Sequence, residues 1–106
     1  MVKYQHIVDG SGTNLPLGKV VCVGRNYAAH ARELNNPVPT SPVLFIKPNT
    51  SLVPLKGDIF VPTHLGECHF ETEMSILISQ PLTNCTEQAA QMAILGVGIG
   101  LDLTLR

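Results

Sequence analysis

The sequence predicts a small α+β domain in which strands outnumber helices. Short apolar runs rich in β-branched residues recur along the 106 residues, and turns rich in Pro and Gly separate them. Two segments have the composition of short helices, and they do not alternate regularly with the strands. This irregular order argues against a repeating βαβ fold and favours the α+β class.

The predicted elements of the N-terminal part are short and bounded by turn residues. Asn26 is a candidate N-cap for the first helix, and the Asn-Asn-Pro run at 35–37 would end that helix. Prolines flank the second strand on both sides. In order, these elements are a turn at 9–12, a strand at 19–24, a helix at 27–34, a strand at 42–48 and an extended piece at 58–62.

The predicted C-terminal elements are longer. A strand is expected at 68–79 and a helix at 86–95, with Glu87 in its first turn and Gly96 as its stop. A final strand covers 97–106. With no repeat or linker in the sequence, we expect a single domain.

Composition argues against several classes of function. The formal net charge is −1 and charged residues make up 14% of the chain, so neither a nucleic-acid surface nor a membrane-binding basic patch is expected. Three cysteines without close spacing argue against a disulfide framework and for a reducing compartment. The N-terminus lacks the apolar core of a signal peptide. We therefore expect a cytoplasmic protein with no membrane or nucleic-acid partner.

Two carboxylates in the strand at 68–79 are the first candidate for chemistry. Glu71 and Glu73 are two residues apart, so they share one face of the strand with their Cα atoms about 6–7 Å apart. Two negative charges on one face repel each other, and a hard divalent cation with oxygen ligands would offset that repulsion. A solvated strand face is the alternative, and spacing alone leaves both open.

A third carboxylate lies in the final strand. Asp102 shares its face with Gly98 and Gly100, whose missing side chains leave room for a ligand or another backbone. Asp102 is therefore a candidate third metal ligand. The alternative is an ordinary acid on an edge strand that pairs with Arg106.

The helix at 27–34 carries a possible acid–base pair. His30 and Glu33 are three residues apart and lie on one helical face, where a carboxylate can orient an imidazole as a general base. A simple surface contact is the alternative. The cations Arg25, Lys47 and Arg106 are candidates for binding a substrate carboxylate, and each could equally be a solvated charge.

Four segments in register resemble the fumarylacetoacetate hydrolase family, and its small bacterial acylpyruvate hydrolase and oxaloacetate decarboxylase members in particular. The similarity extends from about residue 19 to the last residue. The segments are GRNYAAH at 24–30, PVLFIKP at 42–48, HFETE at 69–73 and DLTLR at 102–106.

This resemblance implies a fold and a domain organisation. The expected fold is a strand-rich mixed β-roll of this family, in truncated form and usually assembled as a homodimer. Residues 1–18 would be an N-terminal extension or edge segment, and 19–106 the N-terminal part of the catalytic domain. Family members continue beyond the last motif with a Gln and a Lys that contribute to the site.

The resemblance also implies roles for the candidate residues. Glu71, Glu73 and Asp102 would bind Mg²⁺ or Mn²⁺. His30 and Glu33 would form a dyad that activates water. Arg106 would hold the substrate or stabilise developing oxyanion charge.

The implied activity is metal-dependent cleavage of a carbon–carbon bond in an acylpyruvate or a related 2-oxo acid or 1,3-diketone. Cleavage beside a carbonyl leaves an enolate, which a Lewis acid stabilises. The same scaffold could instead serve an oxaloacetate decarboxylase or tautomerase. A third possibility is an inactive truncated fragment that binds only metal or a partner subunit.

Overall fold

The computed structural model describes residues 4–24 and 41–106. The chain divides into two compact units, one formed by Met1–Leu15 with Pro54–Arg106 and the other by Pro16–Val53. The helix predicted at 27–34 lies outside the described residues. The described elements are, in chain order, β1 (Ile7–Val8), β2 (Ser11–Gly12), β3 (Val20–Gly24), β4 (Val43–Lys47), a 3-10 turn (Asn49–Ser51), β5 (Cys68–Ile78), α1 (Glu87–Met92) and β6 (Ile94–Leu105).

Strands β1 and β2 form a tight hairpin at the predicted turn. Asp9 and Gly10 link them with φ values of 50° and 81°. A two-residue hairpin turn with both φ angles positive matches the right-handed twist of the strands, and Asp-Gly is a preferred sequence for it. Behind the turn, the Thr13 amide donates a 2.8 Å hydrogen bond to the His6 carbonyl. The predicted turn is therefore confirmed.

The second unit contains the antiparallel pair β3–β4. Its register runs from Val20 opposite Lys47 to Gly24 opposite Val43. Both strands were predicted, and both end within one residue of the expected bounds. This register places Lys47 at the end of its strand, where it is half-buried.

The longest feature is the antiparallel ribbon of β5 and β6, with 11 and 12 residues. Its register runs from Cys68 opposite Leu105 to Ile78 opposite Ile94, with an irregularity between Leu77 and Ile78. Beyond the Cys68 end, Glu67 and Arg106 exchange backbone hydrogen bonds of 3.1 and 2.8 Å. This ribbon positions the candidate carboxylates.

Helix α1 is shorter than the sequence predicts. The Thr86 hydroxyl caps it by accepting a 3.1 Å hydrogen bond from the Ala89 amide, and the helix ends at Met92 rather than at residue 95. The Ala93 carbonyl accepts hydrogen bonds from the Ser79 amide and hydroxyl at 2.9 and 3.0 Å. Ile94 then pairs with Ile78, so β6 begins three residues before its predicted start. Strand pairing overrode helix propensity at this boundary.

The described residues form a strand-rich structure with one short α-helix and little interior. Ala93 is the only fully buried hydrophobic residue in residues 4–24 and 41–106. The piece at 58–62 has irregular backbone and belongs to no sheet. Most large apolar side chains of the strands are consequently exposed.

Candidate functional site

One face of the β5–β6 ribbon carries three carboxylates. Glu71 lies directly opposite Asp102, and Glu73 lies opposite Gly100. Directly paired residues of antiparallel strands share a face, with Cα atoms about 4.5–5.5 Å apart. All three acidic residues are half-buried. The pairing therefore gathers on one surface the acids that the sequence placed in two separate strands.

Glycines line the part of β6 that faces Glu73. Gly100 and Gly98 lie opposite Glu73 and Ser75. A Cβ atom placed on Gly100 would come within 3.8 Å of the Ser75 Cβ, which is ordinary van der Waals contact. The glycines are therefore not required by close packing inside the ribbon. They leave open the surface beside Glu73, where a ligand can approach.

Arg106 provides positive charge at this face. Its Nη2 atom lies 3.6 Å from the Oε1 atom of Glu71, and the two side chains are 49% and 37% exposed. The backbone hydrogen bonds to Glu67 fix the position from which Arg106 extends. Arg106 therefore forms an ion pair with Glu71, whereas the sequence offered Asp102 as its alternative partner.

The register explains why the sequence did not reveal this ion pair. Alternation along β6 correctly places Arg106 and Asp102 on one face. Only the pairing with β5 brings Glu71 onto that face as well. The pairing register of β5 and β6 would have revealed the ion pair. The sequence of either strand alone does not fix that register.

The donor set at this face fits a hard divalent cation. Carboxylate oxygens are the ligands that Mg²⁺ and Mn²⁺ prefer, and the Oδ1 atom of Asp102 is already buried. Among the described residues, however, no three His, Cys, Asp or Glu side chains converge closely enough to hold a metal ion. The backbone thus places the donors together, and their side chains would have to turn towards one another to bind the cation.

The positions of the other predicted site residues relative to this face stay predictions. Lys47 ends β4 in the second unit, so its relation to the carboxylates stays a prediction. Arg25, His30 and Glu33 lie outside the described residues. The predicted His30–Glu33 dyad is therefore untested.

The sequence matches the family model for the C-terminal domain of fumarylacetoacetate hydrolase over residues 19–106. The chain belongs to the fumarylacetoacetate hydrolase family, which is a family of enzymes. The resemblance found in the four sequence segments is confirmed by this match.

The curated relatives that the chain matches include oxaloacetate tautomerases. The chain is 46% identical to the oxaloacetate tautomerase YcgM of Escherichia coli over 104 residues, covering 97% of this chain and 48% of that protein. It is also 46% identical to a mitochondrial oxaloacetate tautomerase of Arabidopsis thaliana over 88 residues, or 83% of this chain and 40% of the relative. The chain thus spans about half the length of the relatives it matches.

Solved structures agree with this assignment. A crystal structure from Oleispira antarctica, described as a fumarylacetoacetate isomerase/hydrolase, matches with a TM-score of 0.93 and 48% identity, covering 98% of this chain and 46% of that chain. A family protein from Yersinia pestis matches with a TM-score of 0.90 and 42% identity, covering 95% of this chain and 47% of that one.

Two further findings concern the environment of the chain. Within the described ranges, no helix has the length and apolar character needed to cross a membrane. Among the described residues, Cys22, Cys68 and Cys85 form no disulfide.

Proposed function

We propose that this chain carries part of the active site of a divalent-metal-dependent enzyme acting on a small 2-oxo acid. The reaction that fits best is keto–enol tautomerisation of oxaloacetate. The observation that carries the proposal is the opposition of Glu71 and Asp102, with Glu73 beside them. The oxaloacetate tautomerases among the relatives support the choice of reaction.

Glu71, Glu73 and Asp102 are the residues that would hold the cation. When bound, Mg²⁺ or Mn²⁺ would act as a Lewis acid that stabilises negative charge on the oxygen atoms of the substrate. The three carboxylates would keep the cation on one face of the ribbon. Gly98 and Gly100 would leave that face open to the substrate.

Arg106 would bind a carboxylate of the substrate near this face. Its guanidinium already lies beside Glu71 at 3.6 Å, and the planar guanidinium group suits bidentate contact with a carboxylate. Arg25 and Lys47 are proposed as further contacts to substrate charge, on the basis of their sequence motifs alone.

The proton transfer is assigned to His30 with Glu33. Tautomerisation removes a proton from C3 of oxaloacetate, forms the C2–C3 double bond and protonates the C2 oxygen. A base that accepts the first proton and returns a proton to oxygen completes the reaction without net consumption. His30 is the proposed base, and Glu33 would orient its imidazole ring.

Carbon–carbon hydrolysis of an acylpyruvate, the first expectation from the sequence, uses the same residues with an attacking water. Decarboxylation of oxaloacetate needs the cation but no water. Both stay predictions. So does the possibility that the chain is an inactive fragment that binds only metal or a partner subunit.

Three wider features are part of the proposal. The two-stranded pairs would belong to the mixed β-roll of the family. The assembled enzyme would be a homodimer. The three cysteines, an odd number without close spacing in the sequence, support a reducing compartment such as the cytoplasm.

Decay of oxaloacetate enol absorbance tests the proposed function. We would measure it with Mg²⁺ alone, with the chain, and with the chain plus the unmatched half of the Escherichia coli relative. We expect faster decay with the chain present than with Mg²⁺ alone. Glu71→Gln should lose this acceleration. Glu87→Gln, the control in the exposed helix α1, should retain it. No acceleration in any mixture, or full activity of Glu71→Gln, would contradict the proposal.

A further inference from the structure

The carboxylate face of the ribbon continues beyond Glu71 with a pair of residues of different chemistry. His69 lies directly opposite Thr104, and this is the next pair on the face after Glu71 and Asp102. Residues two apart on a strand share a face, so the His69–Thr104 pair is on the same surface as the three carboxylates. The function proposed above leaves both residues without a role.

Arg106 adds a third polar group to this part of the face. Its backbone pairs with that of Glu67, whereas its guanidinium lies 3.6 Å from Glu71, two such pairs further along the ribbon. The Arg106 side chain therefore extends along the face past the His69–Thr104 pair. The imidazole, the hydroxyl and the guanidinium can each donate a hydrogen bond. We call His69, Thr104 and Arg106 the donor group.

A carboxylate of the protein itself already lies beside the imidazole of the donor group. The Nε2 atom of His69 is 3.5 Å from the Oε2 atom of Glu67. The Glu67 side chain is 81% exposed, and exposed contacts of this kind are weak because water competes for both partners. The position beside His69 therefore accommodates a carboxylate, and another carboxylate held by further interactions can displace Glu67.

The two ends of the face suit opposite charges. The three carboxylates offer negative oxygen atoms to a cation, while the donor group suits an anion. About 6.5–7 Å separates the Cα atoms of Glu71 and His69 along the strand. A ligand that fits both ends has a chelating group at one end and a carboxylate a few bonds away.

We propose that the donor group binds the substrate carboxylate that lies away from the cation, with His69 as the specificity-determining residue. This assignment rests on the function proposed above and names its substrate class, which is 2-oxo acids with a second carboxylate. Such an acid would chelate the cation through its first carboxylate and its keto oxygen. Its second carboxylate would reach the donor group and displace Glu67 from His69.

The donor group discriminates between the reactions considered above. Oxaloacetate has a second carboxylate, whereas an acylpyruvate presents a neutral acyl group at this place. A site arranged to hydrogen-bond one substrate group rejects analogues that lack that group, because its polar atoms then lose their partner. The donor group therefore favours a dicarboxylate such as oxaloacetate.

Two stable hydroxy acids test this assignment. L-malate and (S)-2-hydroxybutyrate both chelate a cation through a carboxylate and the adjacent hydroxyl group, and only malate has a second carboxylate. Isothermal titration calorimetry measures the affinity of each acid for the Mn²⁺-loaded chain. The decisive quantity is the change in the ratio of the two affinities on substitution, because malate also chelates free Mn²⁺ more tightly than 2-hydroxybutyrate does.

Substitutions at His69 separate recognition from folding. His69→Phe removes the imidazole donors and keeps a ring, so the ratio should fall about fivefold, the upper limit for one exposed charged contact. The affinities for 2-hydroxybutyrate and for Mn²⁺ should stay unchanged. His69→Gln keeps an N–H donor and should recover part of the ratio. His64→Phe alters an exposed histidine outside the sheets, and as the matched control it should leave the ratio unchanged.

Thr104→Val provides a second, independent variant. It removes the hydroxyl opposite His69 and preserves the shape of the side chain. The ratio should fall by a smaller factor than in His69→Phe. This variant decides the outcome if His69→Phe no longer binds Mn²⁺.

The possible results separate this assignment from the proposed function. The same ratio in the unaltered chain, His69→Phe and Thr104→Val would overturn the assignment and leave the proposed function standing. Equal weakening of both acids in His69→Phe, with Mn²⁺ binding retained, would also overturn it. A ratio that falls as expected in a protein without tautomerase activity would support the donor group and refute the proposed reaction. A chain that binds no Mn²⁺ would refute both.

Discussion

Glu71 and Asp102 lie directly opposite one another on neighbouring antiparallel strands. Like charges directly opposite one another destabilise a strand pair. Arg106 offsets part of that repulsion from 3.6 Å away. Glu73 adds a third negative charge two residues along the same face. A divalent cation bound at this face, as proposed above, would offset the remaining repulsion.

The first prediction concerns affinity for a cation. Glu71→Gln and Asp102→Asn each remove one proposed charged oxygen ligand, so Mn²⁺ binding should weaken at least about tenfold. Loss of a residue that only contacts a metal ligand already weakens metal binding by about this factor. Mn²⁺ titration followed by electron paramagnetic resonance measures this affinity directly. Glu87→Gln removes a charge from the exposed helix α1 and should bind Mn²⁺ like the unaltered chain. Equal affinities in all four proteins would contradict the assignment of ligands.

Local patterns in the sequence predicted the strands and the faces of the site. Alternation in 68–79 and 97–106 assigned Glu71, Glu73 and Asp102 to particular faces, and each strand has only two faces. The structure then added the register, which is a non-local property. Neither the opposition of Glu71 and Asp102 nor the contact between Arg106 and Glu71 follows from either strand alone.

The boundary between α1 and β6 was predicted wrongly for a related reason. Ile94 and Leu95 continue an apolar pattern that fits a helix as well as a strand. The Ser79 hydrogen bonds to the Ala93 carbonyl and the pairing of Ile94 with Ile78 decide the outcome. These partners lie more than ten residues away in sequence, beyond the range of local propensity.

The second prediction concerns the cap of α1. Thr86→Ala removes the hydroxyl that accepts the Ala89 amide hydrogen bond. Loss of such a cap costs about 1 kcal/mol of stability. Urea denaturation of the protein, followed by circular dichroism, should show a lower midpoint. Thr83→Ala removes an exposed hydroxyl just before the helix and is the control. An unchanged midpoint for Thr86→Ala would show that the cap contributes nothing.

The third prediction concerns the β1–β2 turn. Gly10 has φ of 81° and no heavy atom near the position of an added Cβ. A substitution there meets no steric clash with neighbours, so its cost is backbone strain alone, about 1–2 kcal/mol. Gly10→Ala should therefore increase amide hydrogen exchange at Thr13, whose amide bonds to the His6 carbonyl. Gly18→Ala also enters open space but has no positive φ, and it should leave exchange at Thr13 unchanged. Equal exchange in both variants would argue against strain in the turn.

The last prediction concerns Arg106 as a competitor of the cation. Its guanidinium lies 3.6 Å from a Glu71 oxygen, and both side chains are more than one-third exposed. An exposed ion pair contributes about 0–1 kcal/mol, so Arg106→Gln should tighten Mn²⁺ binding by no more than about fivefold. Salt screens exposed charges, so this gain should shrink when ionic strength rises. Lys56→Gln removes the same charge from an exposed position in the same unit and should leave Mn²⁺ affinity unchanged. Weaker Mn²⁺ binding in Arg106→Gln would contradict this prediction. It would mean that the contact of Arg106 with Glu71 supports the ligands, and that this support outweighs the repulsion between the guanidinium and the cation.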